Sequence, residues 1–321
     1  MDYQKNILVT GCHRSGSTWV GKTLAYSQNV FYLGEPFNPN ISYLSSCCPH
    51  KFQYWFEYVN EQNQSKYYDS IQKALDLSYD WSMFAKSVKN LKGLRNYLGL
   101  YKRLLKYRSN SQKNSRRILM KDPIAVFSSK WLAETFDMQV VVTIRHPIAF
   151  VASLKKANNW YFDYHNFLNQ PLLMEKYLTP WQDKIEEYAK RKPSRVEHGI
   201  LFWNMVHSVL HQYQQEHPDW IFIRHEDLSV NPQEEFSQLF SQLNIDYSDR
   251  IDEKIKLATS SSVENDQDIS LMELKRNSLN NLLSFKERLD KDEIQQINKE
   301  TKQISQLFYP EDKWHDFYQN S

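Results

Sequence analysis

The sequence predicts an α/β fold, P-loop-like and three-layered. A central parallel sheet of about five strands lies between helices, with a helical cap inserted. Three observations predict it. Short β-branched or apolar runs recur at 5–10, 30–33, 117–121, 139–144 and 220–224. Segments with helical periodicity follow them at 17–28, 124–136, 148–157, 197–217 and 232–243. The first run also ends directly at a glycine-containing loop, GCHRSGSTWVGKT, at residues 11–23.

That loop carries the spacing G-x-x-x-x-G twice, in overlapping frames. Gly16 to Thr23 fits G-x-x-x-x-G-K-[ST] in full, with Lys22 at the Lys position. Gly11 to Thr18 fits except that Ser17 replaces the Lys. A phosphate loop follows a buried strand and opens a helix, so that backbone N–H groups face the anion. KNILVT ends at Thr10, immediately before Gly11, whereas the second frame would leave Cys12 to Ser15 stranded. Trp19, Val20, Thr23 and Leu24 recur at helical spacing, which puts Lys22 inside the helix. The first frame is therefore the loop, and its cation is Arg14. The best later strand, QVVVTIR, ends in Arg145 rather than an acid, so nothing there calls for a metal-nucleotide.

Glu35 follows the second strand in VFYLGEPFNP, on the sheet edge that carries the loop. Residues 36–115 form a long insertion before the third strand, read as a cap over an acceptor site within one domain of residues 1–321. Residues 81–121 hold twelve Lys/Arg and no Asp or Glu, with Leu91, Leu94, Leu98, Tyr101, Leu104, Leu105 and Tyr107 interleaved. A solvated face and a surface for an anionic or membrane-associated acceptor both stand as readings of that segment. Lys121 closes the third strand, and its structural alternative is an ion pair with Asp122.

The remaining composition narrows the class. Hydrophobic residues make up 41% and aromatics 14%, enough for a sizeable core. No run of about 18 apolar residues suggests a transmembrane helix. The start, MDYQKNILVTG, has no signal-peptide pattern, and three cysteines are too few for a disulfide framework. The expected location is cytoplasmic, with attachment at the inner membrane surface as the variant reading. Cys47-Cys48-Pro49-His50 is a poor metal set, because adjacent cysteines chelate one ion badly.

Several motifs together carry a resemblance. CHRSGSTW resembles the 5′-phosphosulfate loop of the PAPS-dependent sulfotransferases, in the Arg-bearing form of carbohydrate and tyrosylprotein members. VVVTIRHPIAFVASLKK at 140–156 resembles their 3′-phosphate motif, with Ser153 eight residues after Arg145. ILMKDP (118–123), IFIRHEDLSVNPQEEFSQLFSQLNI (221–245) and KRNSLNNLLSFKERL (275–289) resemble three further family segments in order. His225 stands where the family has Tyr, and Ala157 where some relatives carry another Arg.

The resemblance implies a sulfonate transfer from PAPS to a hydroxyl of a glycan, lipid or small molecule, with PAP as product and no metal. It implies that Ser15, Gly16, Ser17 and Thr18 bind the 5′-phosphate and that Arg145 and Ser153 bind the 3′-phosphate, with Lys155 and Lys156 assisting. A plain helix N-cap is the alternative for Ser17. Arg276 and Ser278 are expected to close over the nucleotide. Arg14 and Lys121 stabilise the transferring group, and Glu35 is the general base, since Pro123 occupies the place where other members have a His. Two readings compete: an ATP-dependent kinase using Lys22, and a basic module binding anionic polymers or membranes. A nucleic-acid partner is not expected.

Overall fold

The computed structural model describes residues 4–41, 43–78, 81–89, 93, 96–102, 117–156, 162–259, 282–310, 314, 317 and 318. Five parallel strands form one sheet: β1 (Ile7–Gly11), β2 (Val30–Gly34), β3 (Arg117–Lys121), β4 (Gln139–Ile144) and β5 (Ile221–Arg224), in the order β2-β3-β1-β4-β5. The strands are apolar on both sides, as a sheet covered on both faces requires. Leu8, Met120, Val140 and Val142 point into one core, and Ile7, Val9, Leu119 and Val141 into the other.

Helix α1 (Ser17–Leu24) covers the second face together with Phe236, Leu239 and Phe240 of Pro232–Gln242. The first face is covered by Pro147–Lys156, Arg195–Glu216 and Lys291–Phe308. Two of these helices begin at capping boxes: Ser194 with Glu197, and Asp290 with Glu293. Asp122 caps the turn after β3 by accepting from the N–H groups of Ile124 and Ala125. Residues Pro123–Ser128 are therefore 3₁₀, and the α-helix starts only at Ser129.

The insertion departs from a simple helical roof. Phe37, Phe52, Phe56, Tyr58 and Val59 are buried in the same core as the first face of the sheet. Residues 47–63 are irregular there; helices follow at Tyr68–Leu75, Trp81–Lys89 and residues 96–102. The first half of the insertion is thus part of the main body. Leu91, Leu94, Leu104, Leu105 and Tyr107 lie outside the described residues.

β1 is the centre of the sheet, and the chain leaves it toward β3 and β2 on one side and toward β4 and β5 on the other. A crevice opens at such a switch point, beyond the carboxyl ends of the strands. Gly11, Gly34, Lys121 and Thr143 all sit at this edge, paired Gly11 with Thr143 and Gly34 with Lys121.

Candidate active site

The loop from Gly11 to Gly16 turns over β4. A Cβ at Gly11 would lie 2.1 Å from the carbonyl oxygen of Thr143, and its φ is +123°, so only glycine fits. Ser15 lies beneath the loop. Its Oγ donates to the Cys12 carbonyl and lies 2.7 Å from Thr143 Oγ1, and its N–H donates to the Cys12 carbonyl at 3.2 Å. Ser15 therefore braces the loop from inside rather than facing the crevice.

Gly16 is the N-cap of α1 at φ +96°, and no side chain caps the helix. Ser17 is the first helical residue, not the cap. The opening turn carries backbone N–H groups with no partner inside the helix, the arrangement that suits an anion. Thr18 is exposed there. Lys22 lies in the last turn of α1, so the loop is the first frame and not the Lys22 frame.

Arg14 takes left-handed backbone, φ 68°, a strained conformation for a residue with a side chain. Its Nε donates to Ser153 Oγ at 3.0 Å, and its carbonyl accepts from Arg145 Nη1 at 2.9 Å. The loop, the end of β4 and the helix after it are joined through these three residues. Arg145 is held in turn by Trp203, whose Nε1 donates to the Arg145 carbonyl at 2.9 Å.

Next to Arg145 lies Glu226, fully buried. Its Oε1 accepts from the His146 N–H at 3.0 Å and its Oε2 from Tyr309 Oη at 2.8 Å. Burial pushes its carboxyl up, and the charge of Arg145 opposes that shift. Lys155 is committed to Glu293 at 2.7 Å. Lys156 is exposed in the last turn of its helix.

The second cluster is formed by β2 and β3. Lys121 is buried and its Nζ pairs with Glu35 Oε1. Glu35 Oε2 accepts from Asn38 Nδ2 at 2.8 Å, and the Glu35 N–H donates to the Lys121 carbonyl at 2.8 Å. Glu35 also takes positive φ, 38°. The partner of Lys121 is thus Glu35, not Asp122. Asp122 accepts from the N–H groups of Phe37 and Ile124 at 2.7 and 3.0 Å, and burial followed by the Glu35 charge pushes it up to about 7.

His225 faces the loop at Gly16: a Cβ there would lie 2.6 Å from His225 Nδ1. His13 packs its ring against Phe56, Phe150 and Phe202, and burial holds it well below the usual histidine range. Cys47 and Cys48 are buried and free, and the His50 ring packs on Phe52 and Tyr67. Arg276, Ser278 and Ala157 lie outside the described residues. A cleft of about 770 Å³ runs along β5 past Trp220, Phe222 and Gln238, but no candidate site residue lines it.

Sequence reasoning did not find Asn38, Thr143, Trp203 or Tyr309. Asn38 carried a readable signal, three residues from Glu35 within a turn. Thr143 lies inside the fourth strand, but its contact is to Ser15, 128 residues away; Trp203 and Tyr309 come from remote parts of the chain, and none of the three carried a signal.

A family model described as "Sulfotransferase family" matches residues 6–249. No curated protein matches the chain. Among solved structures the chain is similar to the sulfotransferase domain from the curacin biosynthetic pathway, with 16% identity over 94% of this chain and 99% of that one and a TM-score of 0.48. It is also similar to a mouse sulfotransferase complexed with PAP, with 10% identity over 99% and 88% of the two chains and a TM-score of 0.42. A sulfotransferase from Mycobacterium avium matches with 12% identity over 89% and 76% and a TM-score of 0.38.

Proposed function

The chain belongs to the sulfotransferase family, and from that premise we propose that it transfers a sulfonate from PAPS to a hydroxyl of its acceptor. The observation that carries the donor reading is the Arg14–Ser153–Arg145 junction. Two arginines and a serine meet at the loop that leads into α1, which supports a ligand with two separated phosphates over a single-phosphate nucleotide. A planar guanidinium suits phosphate oxygens because it donates twice.

PAPS supplies an activated sulfonate on a phosphate leaving group. The N–H groups of Gly16, Ser17 and Thr18 would hold the 5′-phosphate, and Arg145 with Ser153 the 3′-phosphate. Ser153 then exchanges its bond to Arg14 for one to the phosphate, which releases the Arg14 guanidinium toward the leaving oxygen. The acceptor oxygen forms the new bond to sulfur as the bond between sulfur and the bridging oxygen breaks. The electron pair goes to that bridging oxygen, where a fixed cation stabilises the growing charge more than it stabilises the ground state. The acceptor proton passes to Glu35, which Lys121 and Asn38 hold in position from either side. Lys121 is the second cation beside the transferring group. No residue in this scheme calls for a metal.

The acceptor is a hydroxyl-bearing glycan, lipid or small molecule. Calorimetric titration tests the donor reading. PAP binds without Mg²⁺ and more tightly than AMP; preference for ATP with Mg²⁺, or equal affinity for PAP and AMP, overturns it.

A further inference from the structure

Along the sequence acidic and basic residues are interspersed, except in one stretch. The 41 residues 81–121 hold twelve of the 40 Lys/Arg and none of the 38 Asp/Glu, so the rest of the chain is net acidic. Within that stretch, Met83 and Phe84 of Trp81–Lys89 pack toward the core, while Lys86 and Lys89 are exposed. The helical residues 96–102 follow, and Tyr97 Oη donates to the Val88 carbonyl at 3.4 Å, tying the two helices together.

Eight large apolar side chains are exposed among the described residues, and three of them fall within five positions: Tyr97 at 44%, Leu98 at 54% and Tyr101 at 59%. Positions 97 and 98 stand four and three residues before 101, so the three share one helix face. Lys102 is exposed beside them. A merely solvated helix has no use for two tyrosines and a leucine on its outer face. A polyanion surface needs the lysines but not Leu98.

We infer that the surface formed by Lys86, Lys89, Tyr97, Leu98, Tyr101 and Lys102 docks on an anionic phospholipid bilayer. Tyrosine presents an apolar body and a polar tip, which suits the headgroup level. Leucine enters the acyl boundary, and lysine stems lie along it with their ammonium groups at the lipid phosphates. No helix of the described residues is long and apolar enough to cross a membrane, so the contact is peripheral. The inference goes beyond the proposed reaction and does not depend on it: docking is read without donor or acceptor.

Co-sedimentation with vesicles tests it on the full chain. The vesicles are phosphatidylcholine alone, or phosphatidylcholine with about one-third phosphatidylglycerol. Wild type sediments with the anionic vesicles at low salt and is released at high salt. Each basic residue near such a surface contributes about fivefold, so the triple change Lys86→Gln, Lys89→Gln, Lys102→Gln lowers partitioning about a hundredfold. Leu98→Ser with Tyr101→Ser lowers it about tenfold or more while leaving the charge intact. Both variants keep the wild-type melting temperature within a few degrees, since all these side chains are exposed. No sedimentation of wild type at low salt overturns the inference. Sedimentation undiminished in both variants overturns it too. An oligonucleotide or heparin bound as tightly as the vesicles, with no effect of the Leu98/Tyr101 change, identifies a polyanion surface and equally overturns it.

Discussion

Arg145→Ala separates the observed role of this side chain, its bond to the loop, from the proposed one, its contact to a 3′-phosphate. Its Nη1 donates to the Arg14 carbonyl, so truncation removes a brace of the loop, worth about 1 kcal/mol for a hydrogen bond of a charged donor that is partly exposed. That loss falls on any nucleotide that uses the loop. The proposed contact to a 3′-phosphate adds a charge-assisted bond, about 1.5–3 kcal/mol, and falls on PAP alone. AMP affinity therefore drops about fivefold, and PAP affinity drops by roughly a further 10–150-fold. The Arg145 carbonyl keeps its bond from Trp203, so the end of β4 stays in place. Titration calorimetry of wild type and variant with both nucleotides gives the four affinities needed. Equal losses for PAP and AMP would mean that Arg145 serves only the loop, and the reading of the donor site would fail.

Arg14→Ala lowers turnover by about 10²–10³, the usual loss for one transition-state donor, while Lys22→Ala changes it little; steady-state kinetics with the reverse ranking would restore the second loop frame. Glu35→Gln lowers turnover about 10²-fold or more with PAP affinity nearly unchanged, because the amide oxygen can still accept from Lys121 but cannot take a proton. Wild-type turnover in that variant removes Glu35 as the base. Burial holds His207 down at about 3, below its unfolded value of 6.5. Its contribution to stability is present above pH 6.5 and is lost as pH falls toward 3, by up to about 1.4 kcal/mol per pH unit. Urea unfolding at pH 7 and 5 shows a smaller acid loss in His207→Leu than in wild type; parallel losses refute this assignment.

The sheet was legible because parallel strands buried on both faces read as unbroken apolar runs. All five came within about two residues of their expected bounds. The loop was legible because strand, Gly11 and the periodicity of Trp19, Val20 and Leu24 leave one place for the helix to start. Two contacts could not be read from local chemistry. Ser15 reads as a phosphate ligand in its motif, but its hydroxyl is turned inward by Thr143, which is 128 residues away. Lys121 is adjacent to Asp122, yet strand alternation sends the two side chains apart, and Lys121 finds Glu35 across β2. The insertion was read as a cap because it is long, separates the second and third strands, and carries Leu91, Leu94, Leu98 and Tyr101 at helical spacing. Its buried aromatics, Phe52 and Phe56, reveal their place only against partners such as Phe37 and Phe202.

Transfer of a sulfonate from PAPS can be measured as such. The protein is incubated with PAPS labelled in its sulfonate and a fractionated pool of hydroxyl compounds, with chelator in place of Mg²⁺. A labelled product forms in step with PAP, and it is lost in Arg14→Ala. Label transfer that is unaffected by Arg14→Ala, or transfer of phosphate from ATP that requires Mg²⁺ in place of sulfonate transfer, would contradict the proposed function.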